Sequence, residues 1–298
     1  MKVILHIGPH KTGTTSIQAF LHRNSAALRK HGFFYPQTQE DGQNHHDLVR
    51  GLRDPSTFLS TTKRIQELLK ESESSGCHTV ILSSEMFVEH EVPIHLLKSI
   101  FIGREVVVLA YIRRPDDHIS ASYAQLLREP ECRRTQPIDE HPAPYDSSYR
   151  SVFPKWFPHF APGEMVLAPF DPTQWFHGNL IADFCHMIGL DSHIQSELGV
   201  DGSIHRNKSL PAVLQEVLRR SNALLGLSKE LHEAWCGALD ELANEHPEFF
   251  SKKPCEPPPE MVRKLFEELS EMLPIYRPYF RKEFIESFVS FSANSNPD

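Results

Sequence analysis

The opening stretch of the chain constrains the fold more than any other. Val3–Ile7 is an apolar run of strand length that feeds into Gly8-Pro9-His10-Lys11-Thr12-Gly13-Thr14-Thr15. Ile17, Phe20, Leu21 and Leu28 then mark one face of a helix, and Thr15 and Gln18 have the spacing of a capping box at its start. A strand, a tight loop and a helix N-terminus in that order make an anion site. The first N–H groups of a helix have no intrahelical acceptor, and the dipole favours negative charge beside them. Gly13 lets the backbone approach an anion closely, Thr14 and Thr15 add hydroxyl donors, and Lys11 adds a mobile positive charge. The widespread pattern G-x-x-x-x-G-K-[ST] places its lysine after the second glycine. Here the lysine precedes that glycine and Thr14 occupies its place, which disfavours a Walker-type ATPase. The alternative is a Gly/Thr-rich helix start with a solvated lysine, and the strand–loop–helix order weighs against it.

The rest of the first two-thirds alternates apolar runs with helical patterns. Phe33–Tyr35, Thr79–Leu82, Glu105–Ile112 and Met165–Ala168 read as further strands, the third being the clearest. Helices are predicted around Ile65–Leu69 up to Gly76, over Val92–Ile100, through Ile119, Tyr123 and Leu126, and over Leu180–Ile188. The alternation predicts an α/β fold with a central parallel sheet flanked by helices. Arg128–Ser148 carries four prolines and three arginines and reads as a long excursion, such as a lid or binding loop. Past Asn207 the strand signals end. Stripes at Leu210–Leu218, Val262–Leu269 and Phe280/Phe284/Phe288 predict core-facing helices. We read residues 1–298 as one domain, an α/β core over 1–205 with a helical extension over 206–298.

Composition excludes several classes. Hydrophobic residues make up 40% and charged residues 23%, as in a chain with a real core. Lys and Arg total 31 against 39 Asp and Glu, a net charge of −8, which argues against nucleic acid or an anionic membrane as partner. A local anion site is compatible with that balance. The five cysteines are scattered without a C-x-x-C pair, unlike a disulfide framework or a zinc site. The first apolar run is too short for a signal peptide, and no stretch reaches the ~18 apolar residues of a membrane span. These features predict a cytoplasmic protein without membrane insertion.

A second anion-directed feature lies at the end of the clearest strand, where Ile112 runs into Arg113-Arg114-Pro115-Asp116-Asp117. Ligands of open parallel sheets bind at the carboxyl ends of strands, and arginine grips phosphate in bidentate fashion. An ion pair with Asp116 or Asp117 is the alternative use of either arginine.

The segment HIGPHKTGTTSIQ resembles the 5′-phosphosulfate-binding loop of the PAPS-dependent sulfotransferases, especially the bacterial members and the glycan-modifying branch. The resemblance implies a P-loop nucleotide-kinase-like sulfotransferase fold. It also implies that Lys11, Thr12, Gly13, Thr14 and Thr15, with His10 in the same loop, hold the phosphosulfate, and that Lys11 stabilises the leaving phosphate. In the family a 3′-phosphate motif has an Arg, a Pro two residues on, and a Ser eight residues after the Arg. Arg113 and Pro115 match; the serine position falls on Ala121, and of its neighbours Ser120 and Ser122 the replacement taken is Ser122. A late basic loop closes over the 3′-phosphate in the family, a role that falls here on Arg206 or Lys208. The implied reaction moves a sulfuryl group from PAPS to a hydroxyl or amine, leaving 3′,5′-ADP, with no metal.

Such a transfer needs a group to take the acceptor's proton. His45-His46-Asp47 and Ser83-Ser84-Glu85 each follow a predicted strand, so Glu85 and His46 are the candidate bases by position. The family uses a Glu in its glycan-modifying branch and a His in its small-molecule branch. The acceptor class is a small molecule or a glycan, and the net charge suits a mildly charged one. Two rivals remain: a nucleotide-dependent P-loop kinase, and a catalytically inactive nucleotide-binding module, to which Ala121 lends some footing.

Overall fold

A computed structural model describes residues 1–38, 42–89, 92–141, 149–200, 210–224, 226–250 and 253–281. The apolar runs pair as β1 (Lys2–His6), β2 (Phe33–Phe34), β3 (Thr79–Ser83), β4 (Glu105–Ile112) and β5 (Met165–Pro169). They form one sheet of order β2-β3-β1-β4-β5, and every pairing is parallel. Parallel neighbours cannot be joined by a tight turn, so helices carry the chain across. Both sheet faces are then covered, which is why these strands are near-continuous apolar runs rather than alternating ones.

The helices are α1 (Thr14–Arg23) and α2 (Ser25–Lys30) after β1, α3 (His46–Arg53) and α4 (Phe58–Ser74) after β2, and α5 (Met86–Glu89) and α6 (Ile94–Ile100) after β3. Then come α7 (Pro115–Arg128) after β4, and α8 (Leu180–Ile188) and α9 (Ser192–Glu197) after β5. Three more follow: α10 (Ala212–Leu224), α11 (Lys229–Glu245) and α12 (Pro259–Tyr276). The helical face expected from Ile17 to Leu28 is broken at Asn24, whose backbone leaves helical values at φ −97° and ψ 9° while its carboxamide joins its own N–H on the Phe20 carbonyl, each at 3.0 Å.

The chain divides into two units. The first comprises the described residues of Met1–Arg113, Ser151–Ile204 and Met272–Asp298; the second those of Arg114–Arg150 and His205–Glu271. The first unit holds the sheet. Ile4, Ile81, Val107, Leu109 and Tyr111 pack there with Ile17 and Leu21 of α1 and with Phe184, Cys185 and Ile188 of α8. The second has its own core, in which Tyr123 and Leu127 of α7 meet Leu214 and Leu218 of α10 and Cys236 and Leu239 of α11. The arginines of the proline-rich excursion serve that unit internally: Arg128 pairs with Asp240, Arg133 donates to the Leu227 carbonyl and Arg134 to the Glu140 carbonyl. Residues 142–148 lie outside the described residues.

The aromatic stripe at the C-terminus departs from expectation. Phe280 is not helical: Pro278 closes a short turn, and Phe280 then runs extended beside Leu167 of β5. The Arg281 N–H donates to the Leu167 carbonyl at 3.2 Å, covering an edge strand whose polar groups would otherwise lack partners. Phe284 and Phe288 lie outside the described residues. None of the five cysteines is in a disulfide, and among the described residues no helix is long and apolar enough to cross a membrane.

Asp183 of α8 ties this segment down. Fully buried, it accepts from Tyr111 Oη at 2.9 Å, from the Phe176 N–H at 2.9 Å and from Arg281 Nη1 at 2.7 Å. Removing one partner of a buried ion pair leaves the other uncompensated, which costs about 3–5 kcal/mol. Asp183→Ala should lower the unfolding free energy in urea by that amount, whereas Tyr111→Phe, which removes one hydrogen bond, should cost about 1 kcal/mol.

Candidate functional site at the carboxyl edge of the sheet

The loop after β1 is wound tightly on itself. Gly8, Lys11 and Gly13 all have left-handed backbones, at φ 78, 64 and 76°. Gly13 sits so close to its surroundings that a Cβ would lie 2.2 Å from Leu180 Cδ2 and 3.0 Å from Phe170 Cε2. Lys11 is a different matter, because a non-glycine residue in this conformation costs about 1–2 kcal/mol. Its carbonyl is clamped by Arg113, whose Nη1 donates to it at 2.9 Å. Thr12 is buried and its hydroxyl donates to the Pro9 carbonyl at 2.5 Å, so this hydroxyl closes the loop on itself. Gly13 is the N-cap of α1, and no side chain caps the helix. The start of α1 therefore presents Thr14, which is buried, and Thr15, which is exposed, with their N–H groups beyond the reach of the helical ladder. His10 is half exposed at the loop's tip.

The two arginines after β4 have separate partners. Arg114 forms a forked pair with Asp116, at 2.9 Å from Nε and 2.6 Å from Nη2. Arg113, besides its bond to the loop, lies over the Phe170 ring at 5.1 Å, the same ring that closes on Gly13. In the second unit, Ser120 Oγ donates to the Asp116 carbonyl at 3.0 Å, while Ser122 is half-buried on α7. Arg206 and Lys208 lie outside the described residues.

The second group of candidates gathers beside the loop. The register of β1 with β3 sets His6 opposite Ser83. Two residues further along each strand, Gly8 meets Glu85, and a Cβ on Gly8 would stand 2.7 Å from Glu85 Cβ and 2.8 Å from its Cα. Glu85 is nearly buried. Its Oε1 lies 3.6 Å from His46 Nε2 and 3.7 Å from His10 Nδ1, and its Oε2 accepts from Gln18 Nε2 at 2.9 Å. Burial pushes this carboxyl up, but the His46 and Gln18 N–H groups outweigh it and hold the carboxyl down at about 2. His46 Nδ1 is 2.7 Å from Ser84 Oγ. These groups do not form a metal-holding set, and none is found among the described residues.

Sequence position separates His45 from His46 by one residue, yet their surroundings differ completely. His45 is fully buried, accepts the Ser83 N–H at Nδ1 over 3.0 Å, and lies 2.9 Å from the Pro36 carbonyl at Nε2. Its burial lowers the imidazole to about 4, so it is a neutral strut joining α3 to the end of β3. Gln18 is the residue that sequence reasoning misassigned. Because α1 starts on Gly13, Gln18 falls in its second turn and points inward, with Nε2 also 3.2 Å from Ser83 Oγ. No capping box forms. The signal was a lone amide on the buried face Thr14-Ile17-Gln18-Leu21.

No family model matches the chain. An uncharacterized protein of Archaeoglobus fulgidus is similar to it, with 28% identity over 152 residues, which are 51% of this chain and 40% of that protein. The chain thus spans about two fifths of the length of the relative it matches.

Two predictions follow from this geometry. Gly8→Ala combines a left-handed backbone with a clash against the Glu85 backbone, which has nowhere to move without shifting β3. It should destabilise by roughly 2 kcal/mol or more and displace Glu85, read as a lower urea midpoint. The second concerns acid. His6 and His45 are buried neutral and lowered from 6.5 to about 4, and His141 in the second unit is lowered alike. A group lowered in the folded state favours folding above its unfolded value, so this stability is lost as the pH falls from about 6.5 towards 4. Each of the two fully buried imidazoles, His6 and His45, should cost about 2 kcal/mol at pH 5, visible as a urea midpoint that falls between pH 7 and 5. The Glu85 contribution fades only below about 4.5, so the two windows are separable.

Proposed function

We propose that the chain is a PAPS-dependent sulfotransferase with a P-loop-like sulfotransferase fold, acting on a hydroxyl or amine of a small-molecule or glycan acceptor in the cytoplasm. The observation that carries this reading is the hydrogen bond between Arg113 and the Lys11 carbonyl, which joins the K-T-G-T-T loop and the strand-end arginine at one edge of the sheet. The donor set suits a phosphosulfate: helix-start N–H groups at Thr14 and Thr15, a hydroxyl, the Lys11 ammonium and the Arg113 guanidinium. Lys11, Thr14, Thr15, Arg113 and the exposed His10 would hold it. When bound, PAPS supplies an activated sulfuryl group and leaves as 3′,5′-ADP.

Lys11 meets the negative charge that grows on the leaving phosphate, an interaction strongest in the transition state. The acceptor's proton passes to the Glu85–His46 pair. Glu85 is the ionised member, and His46 lies beside it with Nε2 3.6 Å from its Oε1. A Mg²⁺–ATP kinase fits less well, because the loop lysine precedes the second glycine.

Labelled PAPS offered to a panel of hydroxyl and amine acceptors should yield a sulfated product, with Lys11→Ala about 10²–10³-fold slower. Arg113→Ala should weaken the thermal stabilisation given by 3′,5′-ADP. Stabilisation by ATP–Mg²⁺ alone would sink the proposal in favour of a kinase, and nucleotide binding with no transfer to any acceptor would favour the inactive module.

A further inference from the structure

The buried amide on α1 has a part in this site beyond packing. We propose that Gln18 is a positioning residue for proton transfer: its carboxamide anchors Glu85 Oε2, so that Oε1 alone is presented, between His10 and His46, to the acceptor. The inference rests on the sulfotransferase reading.

A buried amide without partners costs free energy, and an apolar residue on this face of α1 would avoid that cost. Gln18 instead meets the polar end of β3 twice, at Glu85 Oε2 over 2.9 Å and at Ser83 Oγ over 3.2 Å. Ser83 Oγ is itself 2.8 Å from His6 Nδ1, so the amide is held from behind by a buried chain that starts within β1. The carboxylate torsion of a glutamate is broad, and either oxygen can face outward when nothing holds it. The bond from Gln18 to Oε2 and the closeness of the Glu85 backbone to Gly8 both restrict how the side chain can turn. Oε1 then lies 3.6 Å from His46 Nε2 and 3.7 Å from His10 Nδ1, at the phosphate loop.

In the transfer, the acceptor oxygen forms a bond to sulfur as the bond from sulfur to the bridging oxygen breaks. That electron pair stays on the 5′-phosphate, and the acceptor's proton goes to Oε1. The titratable groups that face Glu85 are His10 of the loop, His46 of α3, His6 of β1 and Tyr35 after β2. Gln18 does not titrate, so its hydrogen bond to Oε2 is donated at every pH.

Two variants test this. Gln18→Met keeps the length and helix preference of the side chain but donates nothing. It should lower kcat for sulfuryl transfer ~10-fold or more while leaving the affinity for 3′,5′-ADP within about twofold, since only the proton acceptor is misplaced. Gln18→Glu puts a second carboxylate against Oε2, and two such carboxylates share a proton. Carboxyl-¹³C-labelled protein, with the Glu85 signal identified by its loss in Glu85→Gln, should show Glu85 fully ionised at pH 5 and below in the wild type, with no titration step between about pH 7 and 4. In Gln18→Glu it should titrate above about pH 5, with a new acid limb of kcat at the same pH. The proposal is overturned if Gln18→Met retains wild-type kcat, or if Glu85 in Gln18→Glu stays ionised to about pH 5 without an acid limb. If the ¹³C shift appears but even the wild type transfers no sulfuryl group, the hold of Gln18 on Glu85 is supported and the sulfotransferase reading fails.

Discussion

The site depends on the register between β1 and β3. That register sets His6 beside Ser83, and the chain continues in parallel for two more residues until Gly8 and Glu85 touch. The contact is possible only because position 8 lacks a Cβ. One residue of slip would carry every β1 side chain to the opposite face of the sheet, so the buried set Val3, Ile4 and Leu5 that stabilises the fold also fixes where the carboxylate meets the loop. Core packing and site geometry are here one constraint rather than two.

Around that contact, polar groups are divided between holding the loop and facing outward. Thr12 turns its hydroxyl onto Pro9, and His45 uses both ring nitrogens on backbone. Buried polar groups need such partners, and each of these has them within its own neighbourhood. The groups gathered at the carboxyl edge are Lys11, the N-terminus of α1, Arg113, His10, His46 and Glu85. A protein of net charge −8 thus gathers two cationic side chains, Lys11 and Arg113, at one edge of its sheet.

The five strands were legible in the sequence because buried parallel strands are unbroken apolar runs, and Glu105–Ile112 is read to the residue. The tight turn between β1 and α1 was legible because two glycines interrupt the chain between an apolar run and a helical pattern. What the sequence concealed were relations fixed by packing. The spacing of Thr15 and Gln18 matches a capping box, but the left-handed Gly13 starts the helix earlier and turns Gln18 towards Glu85. His45 and His46 look equivalent until the end of β3 encloses one and leaves the other at the edge. Three phenylalanines at helical spacing suggest a helix, but at Phe280 the open edge of β5 decides.

The strap formed by Phe280 and Arg281 has a consequence for the order in which the protein matures. Asp183 receives its guanidinium partner from a residue 98 positions further along the chain. On the ribosome, the whole sheet emerges long before Arg281 does. Throughout that interval the first unit has all five strands but a bare β5 edge and a buried carboxylate lacking its counter-charge. The nascent sheet is thus a provisional structure until Phe280 and Arg281 arrive. Translation pauses or premature stops beyond Asp183 would leave a nearly complete fold with its adhesive edge exposed.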